Sequence, residues 1–298
     1  MSFVSLPRPR GRTWSLSAAL LLLALALSAC GTQANPHPKS IDTYVAMGDS
    51  YTALAGAGPF SDEACKRTLT DYPELVAKAL AVKNFTNASC GGATSADLAQ
   101  EQLIQNPPAS RPPQLAKLSK KTKLVTLGIG LNNGSSPMSY LLLYVCLPVN
   151  GITLPQCSQY LKIPESGVVE AVRTMAGEVK GNLKAIRKAA PNARIVLVGY
   201  PRVLADDRDC ATALPLPPAA ATRLREALKL VNQYLAKTAR TAKVDYIDMY
   251  QASKGHELCS NEPWVAGEAN VPGKALQFHP YDAYHRAVAD KIVALLKK

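Results

Sequence analysis

The stretch Ile41-Asp42-Thr43-Tyr44-Val45-Ala46-Met47-Gly48-Asp49-Ser50-Tyr51 decides the fold. Residues 41–47 form a short apolar run with the composition of a buried strand, and the run stops on a glycine followed by aspartate and serine. Gly48 lets the backbone turn tightly, so a serine on that strand-to-helix turn can be exposed at the end of a sheet. Taken alone, Gly48-Asp49-Ser50-Tyr51 carries little weight, because Asp and Ser are also common helix N-caps. The pattern recurs, however: residues 123–129 place Leu-Val-Thr-Leu before Gly128, and residues 193–198 and 244–247 are two more β-branched apolar runs of strand length. Helical periodicity fills the intervals at 72–82, 95–103, 165–190, 219–239 and 281–296; in the fourth, Leu224, Leu228, Leu230, Val231 and Leu235 recur on one face. Strands alternating with helices predict an α/β fold, a three-layer α/β/α sandwich around a mostly parallel sheet. Ligands of such sheets bind beyond the carboxyl ends of the strands, so the chemistry is expected just after them.

The N-terminus predicts export. Arg8, Arg10 and Arg12 precede an apolar run at 16–27, shorter than the ~20 residues a membrane-spanning helix needs. The run ends in Leu27-Ser28-Ala29-Cys30, which matches the bacterial lipobox, in which the cysteine is acylated and becomes the mature N-terminus. The expected organisation is a signal peptide at 1–29, a lipidated Cys30 with a short tether at 30–40, and one domain at 41–298. The expected location is the outer face of the cell membrane or the cell envelope, because two or three acyl chains anchor stably where one does not. The formal charge of +12 is spread along the chain rather than clustered with aromatics, which argues against nucleic acid and leaves anionic lipid, cell-wall polymer or plain solubility as its use.

Seven cysteines in an exported chain point to disulfides rather than redox chemistry. With Cys30 assigned to lipid, Cys65, Cys90, Cys146, Cys157, Cys210 and Cys259 remain, an even number whose pairing the sequence leaves open. No pair has CxxC spacing, so neither zinc nor any other cofactor is expected.

Four ordered segments resemble the SGNH (GDSL-like) hydrolases, especially the secreted esterases and lipases of actinomycetes. They are Gly48-Asp49-Ser50, Cys90-Gly91-Gly92-Ala93-Thr94, residues 126–130 with Asn132, and His279-Pro280 at the start of the last predicted helix. The resemblance spans nearly the whole mature chain and implies a serine ester hydrolase acting as a monomer. Ser50 would be its nucleophile and His279 its base. The oxyanion donors would be the backbone N–H groups of Ser50 and Gly92 and the side-chain amide of Asn132. Ester cleavage by serine needs both a proton acceptor and donors aimed at the developing oxyanion. Gly91 competes with Gly92, which is preferred by alignment to Gly-Ala-Thr. The resemblance also implies sequential disulfides Cys65–Cys90, Cys146–Cys157 and Cys210–Cys259.

Two positions depart from the family pattern. Asn133 stands where an aspartate is usual, and is expected to hold the turn without the charge. Leu276 stands three residues before His279, where most members carry the triad acid; some relatives use a backbone carbonyl there, which would make Leu276 C=O the group that orients the imidazole. A literal search for Asp-x-x-His instead finds Asp282-Ala283-Tyr284-His285, but Asp282 sits where a helix begins and His285 inside it. Residues 134–154, with the run Tyr140-Leu141-Leu142-Leu143-Tyr144, are expected to form substrate wall or core. Rival readings are acyl transfer to, or deacetylation of, cell-envelope glycolipid or polysaccharide, and a catalytically silent binding lipoprotein.

Overall fold

A computed structural model describes residues 34–54, 58–105, 107–133, 148–149, 152–153, 164–207 and 209–298. The lipobox, the Cys146–Cys157 pairing and most of the expected substrate wall at 134–154 therefore lie outside the described residues. The elements, in chain order, are β1 (Thr43–Gly48), α1 (Ser50–Ala53), β2 (Phe60–Asp62), β3 (Arg67–Thr68), α2 (Tyr72–Ala79), β4 (Asn84–Asn87), β5 (Gln102–Gln105), β6 (Pro108–Arg111), β7 (Leu124–Gly128), β8 (Pro148–Val149), β9 (Ile152–Thr153), α3 (Glu165–Ala189), β10 (Arg194–Val198), α4 (Pro218–Ala242), β11 (Asp245–Ile247), α5 (Met249–Ala252) and α6 (Asp282–Leu296). Residues Ala34–Lys298 form one compact unit. Among the described residues no helix is long and apolar enough to cross a membrane.

Five strands pair in parallel in the order β11-β10-β7-β1-β4. Because β1 has β4 on one side and β7 on the other, the winding reverses between β1 and β7, and the crevice there is where open α/β sheets hold ligands. The strand residues alternate between two helical layers. Val45, Met47, Val125, Leu127, Ile195 and Leu197 pack with α3 and α4, and Tyr44, Ala46, Leu124, Val196 and Val198 pack with α2 and α6. Both faces are covered, which is why the central strands are apolar almost throughout. The expected three-layer α/β/α sandwich is the observed fold.

Three local expectations change. Residues 95–103 are not one helix: a 3-10 turn at Ala96–Leu98 gives way to the hairpin β5–β6. The Asp97 carboxylate accepts both the N–H and the hydroxyl of Thr94 at 2.7 Å, and the Gln102 amide donates to Gly91 O at 2.8 Å, so side chains hold this segment in a turn. β4, Asn-Phe-Thr-Asn, has no strand signature because it is a half-exposed edge. The chain from Asn35 onward is no free tether. The Asn35 side chain donates to Ile195 O (3.1 Å) and to the Asp245 carboxylate (2.8 Å), and accepts from Ile195 N–H (2.9 Å) and Arg187 (2.8 Å). One amide thereby caps the start of β10 and fixes where the chain joins the sheet.

Two of the three implied disulfides, Cys65–Cys90 and Cys210–Cys259, are closed. Bridges closing loops of this size typically contribute ~2 to 4 kcal/mol each.

The ends of β1 and β7 approach so closely that Gly48 tolerates no side chain. An added Cβ would lie 2.3 Å from Thr52 Oγ1 and 2.4 Å from Gly128 O, with φ at +152°. Gly48→Ala should therefore cost about 1–3 kcal/mol or more of unfolding free energy, since the second contact is backbone and cannot move aside. Urea unfolding measures this; an unchanged midpoint would contradict the packing described.

Candidate active site

Asp49 N–H donates to Gly128 O at 2.9 Å, continuing the β1–β7 pairing one residue beyond the sheet. The Gln114 side chain closes on the same turn, accepting Gly48 N–H at 2.8 Å and donating to Gly48 O at 2.9 Å. Ser50 then opens α1, where first-turn N–H groups lack intrahelical partners. Among the described residues the Ser50 N–H meets no acceptor, so it is available to a ligand.

Asp49 is buried beneath the serine. Its carboxylate accepts the Tyr51 N–H at 2.9 Å and the Tyr200 hydroxyl at 2.6 Å. Burial pushes its pKa up to about 7 against these two bonds. The Tyr200 oxygen in turn accepts the Leu131 N–H at 3.4 Å, tying the turn after β7 to the turn that bears Ser50.

The second and third segments arrive beside it. Gly91 N–H is taken by Cys65 O at 2.8 Å, so Gly91 is not a free donor, whereas Gly92 N–H has no acceptor among the described residues. Gly92 has φ +73°, a conformation that favours glycine, and a Cβ there would meet no protein atom within 4 Å. The carbonyl of Cys65, a residue of the Cys65–Cys90 bridge, thus occupies the Gly91 N–H and leaves that of Gly92 unpaired among the described residues. One amide proton of Asn132 goes to Ala93 O at 3.0 Å, leaving the other for a ligand. Asn133 is buried and does hold the turn. Its oxygen accepts Ser95 N–H and its NH2 donates to Ser95 Oγ, both at 2.9 Å, and to the Glu178 carboxylate of α3. An aspartate at 133 would set a second carboxylate against Glu178; asparagine supplies the donor instead.

His279 comes from the loop before α6. Its Nδ1 lies 2.7 Å from Gln277 O, and since a carbonyl only accepts, Nδ1 carries the proton and the Nε2 lone pair is free. This corrects the expectation for Leu276. The Leu276 carbonyl accepts the backbone N–H of His279 at 3.2 Å and is used within the turn. Phe278 adopts the left-handed conformation (φ 59°), and Gln277 O, one residue closer, faces the ring. Desolvation lowers the His279 pKa below its ordinary 6.5, opposed by the bond to Gln277. The loop is held by Phe278 N–H to Gly267 O and Ala266 N–H to His279 O, and by Tyr51, whose hydroxyl donates to Phe278 O at 2.8 Å. Tyr51 therefore links the residue after the serine to the residue before the histidine. Among the described residues no hydrogen bond joins Ser50 Oγ to His279, a contact that catalytic pairs often complete only with substrate bound.

Ser50, Gly92, Asn132 and His279 line one cavity of about 360 Å³, with apolar walls that include Leu54, Ile104, Leu131, Val203, Leu276 and Phe278. Asp282 and His285 are absent from that lining. Asp282 lies in the first turn of α6. His285 is fully buried, its Nδ1 accepting Tyr72 N–H (3.1 Å) and its Nε2 hydrogen donating to Leu54 O (2.8 Å), so neither nitrogen can serve a serine. Among the described residues no cluster of three or more His, Cys, Asp or Glu side chains could hold a metal ion. Besides Gln277, the sequence reading missed Tyr51, Tyr200, Gln114 and Glu178. Tyr51 and Tyr200 were approachable, each standing just past a strand, but Gln114 and Glu178 lie in segments with no motif.

Fold and site together are an α/β/α sandwich with a serine, a histidine and unpaired N–H donors around one cavity. Residues 46–287 match the model of the GDSL-like lipase/acylhydrolase family. Lipase 1 of Streptomyces coelicolor is 30% identical over 252 residues, covering 84% of this chain and 85% of that one. The lipase of Streptomyces rimosus is 30% identical over 257 residues, covering 85% and 87%. The crystal structure of phospholipase A1 from Streptomyces albidoflavus superposes with a TM-score of 0.64 at 25% identity, covering 86% of this chain and 99% of that one. The chain belongs to the GDSL-like lipase/acylhydrolase family and is a carboxylic ester hydrolase.

The burial of His285 has a measurable consequence. Its pKa falls from 6.5 to about 3 through desolvation, so between these values the unfolded chain binds the proton and the folded one does not. This group's contribution to stability is therefore present above pH 6.5 and is lost as pH falls toward 3. A glutamine can accept from Tyr72 N–H and donate to Leu54 O without titrating. His285→Gln should lose less stability than the parent between pH 6.5 and 4 in denaturant titrations; parallel losses would refute the assignment.

Proposed function

We propose that Ser50 and His279 form a catalytic dyad oriented by the Gln277 carbonyl, cleaving carboxylic esters through an acyl-enzyme. The observation that carries this reading is the single apolar cavity onto which the serine, the histidine and all three candidate oxyanion donors converge. The Nε2 lone pair of His279 takes the Ser50 proton as Oγ attacks the ester carbonyl. The N–H groups of Ser50 and Gly92 and the spare Asn132 amide proton bind the oxygen that becomes negative. Collapse expels the alcohol, protonated by the imidazolium, and leaves the acyl group on Oγ. Water then attacks by the same route, giving up its proton to His279 and releasing the acid. The apolar walls suit the acyl chain of a lipid or other ester substrate. A carbonyl orients the ring and fixes its tautomer but brings no charge, so the imidazolium is stabilised less than in a Ser-His-Asp triad.

The second part of the proposal is export with a lipid anchor on Cys30. The ordered features at residues 8–30 support it, as do two disulfides, which persist in oxidising compartments.

A fluorophosphonate probe should label Ser50. Ser50→Ala and His279→Ala should each lower kcat on a short-chain ester by several orders of magnitude, while Asp282→Asn stays active. With His279 held below its ordinary pKa, kcat/KM should rise with pH through an inflection below 6.5 and then level off. Inactive Asp282→Asn alongside active His279→Ala, both folded, would reverse the assignment.

For the anchor, Cys30→Ala should abolish acylation and leave the leader uncleaved. A mature N-terminus downstream of Cys30 without acyl chains, found by mass spectrometry of the membrane fraction, would exclude it.

A further inference from the structure

The parallel sheet has two unlike ends. The cavity lies beyond the carboxyl ends of β1 and β7, and the chain enters the domain at the other end, where Asn35 is bonded to Ile195 and Asp245 at the starts of β10 and β11. The segments that lead into the five strands meet at that same end, as the bonds Lys123 N–H to Thr43 O, Asn84 N–H to Asp42 O and Arg194 N–H to Lys123 O record.

Those leading segments, residues 39–42, 80–84, 117–123, 187–194 and 237–245, are rich in lysine and arginine, and their only acids are Asp42 and Asp245. Asp245 is paired with Arg194 at 2.7 Å, which removes it as a counter-charge. Lys83, Lys120, Lys121, Lys188 and Arg240 are all exposed. Complementing helix C-termini explains Lys188 and Arg240. It does not explain Lys120 and Lys121, which lie in the loop before β7. At the opposite end, segments 199–217 and 253–281, which help to wall the cavity, carry more acids than bases. Net positive charge is therefore gathered on the face the chain enters by, whereas around the cavity, which Lys66 lines, these two segments carry a small acidic excess.

We propose that the face formed by the amino ends of the strands rests on an anionic phospholipid bilayer, with the Ser50 cavity opening away from it. The choice of occupant rests on the membrane attachment proposed above. Four residues lie between Cys30 and Asn35, so the five steps span at most ~18 Å when fully extended, and an anchor at Cys30 keeps this end near the surface. Phosphate headgroups complement the lysines there, and at physiological salt such attraction acts within ~8 Å. The ester would then arrive from the envelope side rather than from the leaflet that holds the anchor.

The test uses the full chain on vesicles of phosphatidylglycerol or of phosphatidylcholine, treated with a membrane-impermeant amine reagent and analysed by peptide mass spectrometry. Labelling of Lys83, Lys120, Lys121 and Lys188 should be severalfold slower on phosphatidylglycerol than on phosphatidylcholine, and 1 M salt should abolish the difference. The exposed Lys254 and Lys274, in a segment that walls the cavity, should label equally on both. Equal labelling of the first group, slowing of Lys254 and Lys274 instead, or failure to bind phosphatidylglycerol vesicles would overturn the proposal. So would equal protection of the first group by a soluble polyphosphate, which would indicate an anionic polymer as the occupant. Hydrolysis of a short soluble ester by the same sample reads the Ser50 site separately, so an inactive site and a wrong orientation give different results.

Discussion

The close approach of β1 to β7 at their carboxyl ends is the contact on which the site depends. Gly48 and Gly128 are adjacent in register, Asp49 N–H reaches Gly128 O, and no side chain fits between them. With the strand ends this close, the turn bearing Ser50 and the turn bearing Asn132 are brought to one crevice. Gln114 pairs with both the N–H and the C=O of Gly48, whose oxygen also accepts the Cys90 N–H, so Gly48 has no unpaired backbone group at the centre of the site.

From that contact outward the site is braced by a chain of hydrogen-bonded polar groups. The buried Asp49 collects Tyr51 N–H and the Tyr200 hydroxyl, and Tyr200 reaches the Leu131 N–H. Tyr51 extends the brace to Phe278 O, and so to the loop carrying His279. Asn133 joins Ser95 of the glycine segment to Glu178 of α3. A half-satisfied network of this kind would be costly in a low-dielectric interior; these bonds pair nearly every member and fix the relative positions of four separate loops.

The departures from the family pattern become intelligible in these terms. Asn133 in place of aspartate matches the carboxylate already present at Glu178. Where an acid is usual before His279, the Gln277 carbonyl lies against the imidazole Nδ1, and Phe278 between them takes a left-handed turn. Neither change affects the N–H groups of Ser50 and Gly92, which meet no acceptor among the described residues.

By itself the sequence determined the alternation of strands and helices, the seven cysteines and the four segments around Ser50, Gly92, Asn132 and His279. Each of these is a local signal, a periodicity or a short motif, legible without knowing what lies across the fold. Tertiary structure alone decided that Gly91 rather than Gly92 is consumed by Cys65, and that Gln277 rather than Leu276 faces the imidazole. It also decided that His285 turns into the core and that Asn35 is docked rather than free. In each case the deciding partner is a backbone carbonyl or amide whose direction depends on packing. For Gly91, His285 and Asn35 that partner is also distant in sequence, and for His279 it is the turn at Phe278 that aims the carbonyl. The edge strand β4 and the hairpin at 102–111 were illegible for the related reason that side-chain bonds and pairing, not an apolar pattern, hold them.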